Sequence, residues 1–173
     1  MIAEVARRLA ENKKKLDIGL YVVNSVQEEI GLRGAEMISR RLKPNVAICT
    51  DVCHDTYSPM YDKIKDGDIK SGKGAVITYA PPVQNKLREM IIQTAEKNSI
   101  SFQRLASSRT TGTDTDSFAY SDVGVPTALI SLPLKYMHTT VETVHKDDVE
   151  SVIKLIYEAV LAMKPDTNFN YFS

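Results

Sequence analysis

Two adjacent carboxylates, Glu28 and Glu29, stand between an apolar run and Gly31, and further along the chain Asp51, His54, Asp55 and His138 close other apolar runs. Carboxylate oxygen and imidazole nitrogen together suit a divalent cation such as zinc. Beside such an ion an adjacent acid pair can divide its labour: one carboxylate binds metal, and its neighbour stays free to take the proton of a metal-activated water. Neighbours on a regular strand point to opposite faces, so both acids can serve one site only where the strand has ended and the backbone turns. Gly31 fits such a turn. Each residue also has a plainer reading, because adjacent glutamates are common on solvated surfaces and a lone His54, His138 or His145 is ordinarily a hydrogen-bonded surface or core histidine.

The elements that must carry these groups follow from apolar spacing. Ile2, Val5, Ala6 and Leu9 predict a helix over 2–15 with no capping residue ahead of it. Residues 17–24, β-branched and aromatic, predict a strand buried on both faces, and 32–42 predict a helix with Leu32, Ala35, Ile38 and Leu42 on one side. After Lys43-Pro44-Asn45 comes a second buried strand over 46–49, running into the acids at 51 and 55. Strands are expected again at 75–79, 102–106 and 127–131. Helices are expected from about 84 to 98, briefly over 118–121 with Asp114 or Asp116 as cap, and over four turns from Val149 to Met163 with Asp147 and Glu150 in capping-box positions. Alternating helices and strands describe one α/β domain over 1–173, its ligand-binding rim at the strand ends.

Composition narrows the function classes. With 22 basic and 22 acidic residues the net charge is zero and no basic stripe is interleaved with aromatics, so nucleic acid is not an expected partner. No apolar run approaches the ~20 residues that cross a bilayer, and Met1-Ile2-Ala3-Glu4-Val5 lacks the layout of a signal peptide. The expectation is a chain without membrane contact in a reducing cytoplasm. Cys49 and Cys53 lie four apart on one expected strand, too far for an unstrained disulfide, and read as buried free thiols. Gly67, Gly72 and Lys73 imitate a phosphate-binding loop, but Gly74 stands where a hydroxyl would hold magnesium and a strand follows, so a turn is expected. No Gly-x-Ser-x-Gly elbow is present, and Ser151 with Lys154 falls inside an amphipathic helix.

Several stretches together carry a resemblance. Val26-Gln27-Glu28-Glu29-Ile30-Gly31-Leu32-Arg33-Gly34-Ala35, then Thr50-Asp51-Val52 with Asp55-Thr56, then Gly112-Thr113-Asp114, then Gly124-Val125-Pro126-Thr127 leading to Tyr136-Met137-His138-Thr139, occur in order. This series resembles the glutamyl, deblocking and tetrahedral aminopeptidase family of co-catalytic metallopeptidases, some of whose members were formerly labelled cellulases. The resemblance implies a zinc-exopeptidase-like three-layer α/β/α sandwich with a mixed central sheet. It implies a hydrolase that removes N-terminal residues from short peptides with two divalent ions, zinc or cobalt. Carried over by position, Glu28 would be the general base, Glu29 would ligate one metal with His138, Asp51 would ligate the other, and Gly112, Thr113 and Asp114 would line the substrate pocket.

One departure qualifies that inheritance. The family pattern has a histidine ligand and a metal-bridging aspartate upstream of the acid pair, with a small β-barrel-like insert between them. Residues 1–25 hold only Glu4, Glu11 and Asp17 as acids and no histidine. The expectation is a C-terminal half carrying three of the five ligands, binding metal weakly and inactive as an isolated chain. The alternative is a non-catalytic remnant or subunit that associates with itself or with a complete relative, its uncovered sheet edges serving as a template for pairing. Carbohydrate hydrolysis, suggested only by the old label, fits poorly with adjacent glutamates and no tryptophan.

Overall fold

The computed structural model describes residues 1–171. Eleven elements follow in order: α1 (Ile2–Glu11), α2 (Arg33–Leu42), β1 (Ala47–His54), α3 (Lys63–Asp66), β2 (Ala75–Tyr79), α4 (Asn85–Lys97), β3 (Phe102–Ala106), α5 (Asp114–Ala119), β4 (Thr127–Lys135), β5 (Thr143–Val144) and α6 (Lys146–Ala162). The sheet order is β1-β4-β2-β3, with β5 a short addition on β4. β1 runs parallel to β4 and β2 parallel to β3, while β4 and β2 are antiparallel. The expected mixed sheet is therefore present.

β4 is the axis of this sheet, buried along its length from Thr127 to Leu134. On one face α1, α4 and α6 close the main core, where Val5, Leu9, Leu87, Ile91, Val152, Leu155 and Ile156 meet Ile77, Ile130 and Leu132. On the other face α2 packs on α5, which lies over β1 and β4. Strand alternation divides the side chains between the two layers. Ile48 and Val52 of β1 face the main core, whereas Cys53 joins Ile69 and Val76 in a smaller cluster on the opposite side. Cys49 and Cys53 are free thiols, as the spacing predicted.

Residues 17–24 are a correction, since they form no strand. Among the described residues, their backbone makes no hydrogen bond to other backbone, and Leu20, Tyr21 and Val22 are exposed. β-branched composition favours an extended chain, but a strand is stable only when a neighbour takes up its ladder bonds. Here the segment crosses from the α1 layer to the α2 layer, and among the described residues β1 has only β4 as a sheet neighbour. The first helix also ends earlier than expected, at Glu11, and β1 and β4 run longer, to His54 and Lys135.

Two caps differ from their sequence assignments. α6 starts after His145, whose ring nitrogen accepts from the Asp147 N–H, in place of an Asp147–Glu150 capping box. Glu150 is instead gripped by both terminal nitrogens of Arg8, at 2.6 and 2.7 Å, which ties α1 to α6. α5 is capped by Thr113, which accepts from Thr115 N–H, while Asp116 reaches back to the amides of Thr111 and Gly112.

The apparent phosphate loop is explained by Asp148, which is fully buried at the start of α6. Its carboxylate accepts from the amides of Gly72 at 2.6 Å and Gly74 at 2.7 Å, so an internal acid occupies N–H groups that a phosphate would need. Gly74 has φ +95°, and a Cβ there would stand 2.0 Å from the Ser101 carbonyl oxygen. Only glycine fits this close approach.

Asp148→Ala should cost about 3 kcal/mol in chemical denaturation, because two buried amides lose their acceptor. Asp148→Asn, which keeps one acceptor oxygen, should cost roughly half as much. The Arg8 guanidinium holds the Glu150 carboxyl below its ordinary range. A depressed acid contributes stability that is present above the unfolded value near 4.3 and is lost as pH falls through the lower folded value. Glu150→Gln should therefore lower Tm at pH 7 by an amount equivalent to no more than about 1 kcal/mol, the pair being half exposed. In melts from pH 7 to pH 2, that difference should shrink below pH 4.

Candidate active site

The acid pair sits in a tight turn packed on the start of α2. Gly31 and Leu32 N–H donate to the Glu28 carbonyl at 3.1 and 3.0 Å, Arg33 N–H to Gln27 at 3.3 Å and Gly34 N–H to Val26 at 2.9 Å. Gln27 and Leu32 take φ of 62° and 56°, and Gly31 takes 115°. Left-handed backbone at two non-glycine residues costs energy, and such strain tends to collect at functional sites. At Gly34 a Cβ would lie 2.3 Å from the Val26 carbonyl oxygen, so glycine is what lets the turn approach the helix. The turn inferred from Gly31 is present, although the strand expected before it is not.

Asp51 lies within β1, opposite Ser131 of β4, and not at the strand's end. It alternates with Val52, so its side chain lies in the α5 layer. One of its oxygens accepts from Val52 N–H at 2.7 Å. His138 follows β4 in a second strained turn, where Tyr136 and His138 have φ of 58° and 61°. Its backbone N–H donates to Glu142 Oε1 at 2.6 Å. The imidazole Nδ1 stands 3.9 Å from Glu29 Oε1, with both side chains mostly exposed.

The third contributor is the start of α5. Ser25 Oγ donates to Asp114 Oδ2, while Asp114 Oδ1 is buried with no hydrogen-bond partner among the described residues. Thr113 is buried and its hydroxyl is committed to capping α5, and Gly112 is exposed with open space where a side chain would project.

Electrostatics shows that these groups share one field. Burial raises the Glu28 carboxyl, and the charges of Asp51, Glu29 and Asp114 push it further, opposed by His138. Asp51 is also raised by burial, with Asp114 and Glu29 adding, against the Val52 N–H and His138. Glu28, Glu29, Asp51, Asp114 and His138 thus lie within electrostatic reach of one another. His54 stands beside them: burial and then the charge of His138 lower it, and its Nδ1 is 2.7 Å from Tyr61 Oη. Asp55 does not join them. It is fully buried and accepts from the amides of Tyr57 and Ser71, pinning the loop after β1.

In kind, these donors fit a divalent cation. They are oxygens and an imidazole, the donor types such an ion takes. Among the described residues, however, no three His, Cys, Asp or Glu stand close enough together to hold one. Sequence reasoning missed Ser25, the function of Gly34 and the Tyr61–His54 pair. A serine three residues before an acid carries no signal, and the Tyr61 contact depends on how a long loop folds back.

Known proteins resemble this chain in sequence and in fold. The family model described as M42 glutamyl aminopeptidase matches residues 1–155. A lysyl aminopeptidase of Pyrococcus furiosus is 38% identical over 162 residues, covering 94% of this chain and 45% of that protein. The crystal structure of a TET aminopeptidase from a marine sediment archaeon of the Thaumarchaeota superposes with a TM-score of 0.88 at 26% identity, over 95% of this chain and 46% of the other. The TET1 peptidase of Pyrococcus horikoshii, described as assembling into a tetrahedron or a large octahedral shell, gives 0.63 at 31% identity over 80% and 40% of the two chains. The chain thus spans less than half the length of these relatives. Motif order, layer arrangement and a family match over residues 1–155 lead to one conclusion: this chain belongs to the M42 glutamyl aminopeptidase family.

Proposed function

We propose that this chain supplies the base and part of the metal-binding wall of an aminopeptidase that cleaves the first peptide bond of short peptides. The observation that carries the reading is the approach of His138 Nδ1 to within 3.9 Å of Glu29 Oε1, each presented by a turn with left-handed backbone, beside the burial-raised carboxyls of Glu28 and Asp51. Glu29 and His138 would hold one divalent ion, zinc or cobalt, and Asp51 a second. Such an ion, when bound, polarises the carbonyl and acidifies water. Glu28 takes the proton of the attacking water on its carboxylate and passes it to the leaving amine. Its raised affinity for protons suits that exchange, because a base works best when its pKa lies near the working pH. Gly112 leaves room beside Asp114 for the substrate.

A second reading is supported by the unpaired outer edge of β1 and the exposed apolar segment Leu20-Tyr21-Val22. In this reading the chain is a subunit of a larger assembly, with itself or with a complete relative, and is inactive alone. Among the described residues no helix is long and apolar enough to cross a membrane.

With zinc or cobalt added, the chain should hydrolyse aminoacyl-p-nitroanilides only at a residual rate, and Glu28→Gln should lower that rate at least about a hundredfold, as expected for loss of a general base. Equal residual rates would remove Glu28 from the mechanism, and no rate in either protein would favour the subunit reading. A metal-free measurement complements this. An acid whose folded pKa is raised destabilises the fold above that value, and the penalty disappears as pH falls through the unfolded range. Glu28→Gln should therefore raise Tm at pH 7 in chelator, with the gain vanishing below about pH 4.

A further inference from the structure

We propose that Ser25 is a positioning residue of the candidate active site, its hydroxyl latching the Glu28–Glu29 turn to the Asp114 carboxylate at the start of α5. The inference rests on the proposed function for its chemistry, while its structural part stands by itself.

The turn is anchored unevenly. On its C-terminal side four amides, those of Gly31, Leu32, Arg33 and Gly34, bind carbonyls of Val26, Gln27 and Glu28. On its N-terminal side, between Ile18 and Val26, the Ser25 hydroxyl makes the one hydrogen bond among the described residues. The approach to the turn is therefore held to the body of the protein at a single polar point, beyond which Leu20, Tyr21 and Val22 lie exposed. Elsewhere α2 and α5 are joined by the Ser39–Ser121 hydroxyl pair and by Ser117 Oγ donating to the Leu32 carbonyl. Neither of these reaches the segment before Glu28.

Charge makes that single point consequential. Asp114 repels both Glu28 and Asp51, so the turn is pressed against a carboxylate that would drive it away. With Asp114 Oδ1 buried and unpartnered, Ser25 supplies the side-chain donor this carboxylate has. Removing the hydroxyl leaves the partly buried Asp114 carboxyl group without its Ser25 donor and frees the turn to move outward, and the Glu29–His138 spacing changes with it. Residues that orient metal-binding side chains from behind alter metal affinity by 10–100-fold in known sites.

The test uses the whole 173-residue chain. Amide hydrogen exchange at Gly31, Leu32, Arg33 and Gly34 reports the turn, and zinc titration calorimetry reports the donor spacing. Ser25→Ala should speed exchange at those four amides about tenfold and weaken zinc binding about tenfold, with exchange in β4 and α6 unchanged. Ser25→Thr, which keeps the hydroxyl, should restore both to within about twofold. If Ser25 acts through Asp114, Ser25→Ala should add nothing in an Asp114→Ala background. Unchanged exchange at the four amides, equal acceleration throughout the protein, or full additivity with Asp114→Ala would overturn the proposal. Absence of zinc binding to the wild-type chain would count against the metal reading, and the exchange data would still decide the latch.

Discussion

The site depends on β4, a strand buried from Thr127 to Leu134 and hydrogen-bonded on both sides. Its parallel register with β1 sets Asp51 opposite Ser131, and its exit leads to the turn that presents His138. The two helical layers pack on its faces, so α5 and the start of α2 take their places relative to Asp51 through the same strand. A shift of one residue along β4 would send Asp51 to the wrong layer, because side-chain direction alternates with every residue.

Around this fixed frame the acids are held against their own repulsion. Glu28 and Asp51 are both harder to ionise than free carboxylates, and they share a field with Glu29 and Asp114. A fold selected for stability alone would not assemble them. Four of the nine left-handed non-glycine residues among the described ones, Gln27, Leu32, Tyr136 and His138, lie in the two turns that carry the pair and the histidine. The surrounding structure bears these costs through a dense core and through buried polar ties such as Asp148 on Gly72 and Gly74. Such expense is typical of functional sites, where stability is given up for chemistry.

Much of the fold was legible because its signals are local. β2 and β3 fall where alternating and β-branched runs predict them, and α4 and α6 follow apolar stripes. Residues 17–24 mislead for a physical reason: their composition favours an extended chain, but a strand also needs a neighbour, and no neighbour is encoded in the segment itself. Asp147 and Glu150 mislead differently, because Arg8, far away in sequence, claims Glu150.

The sequence by itself determined the chemistry on offer: an acid pair before a glycine, an aspartate and a histidine downstream, and a motif order that marks the M42 family. Residue type and spacing suffice for that, since they record which donors exist and in which order the chain passes them. Only the tertiary structure decided which of the donors meet. Asp55, next to His54 in the chain, turns inward to hold a loop, while Asp114, 63 positions beyond Asp51, joins it in one field. The physical reason is that burial and charge act through space, and the sheet register, not the chain, sets those distances.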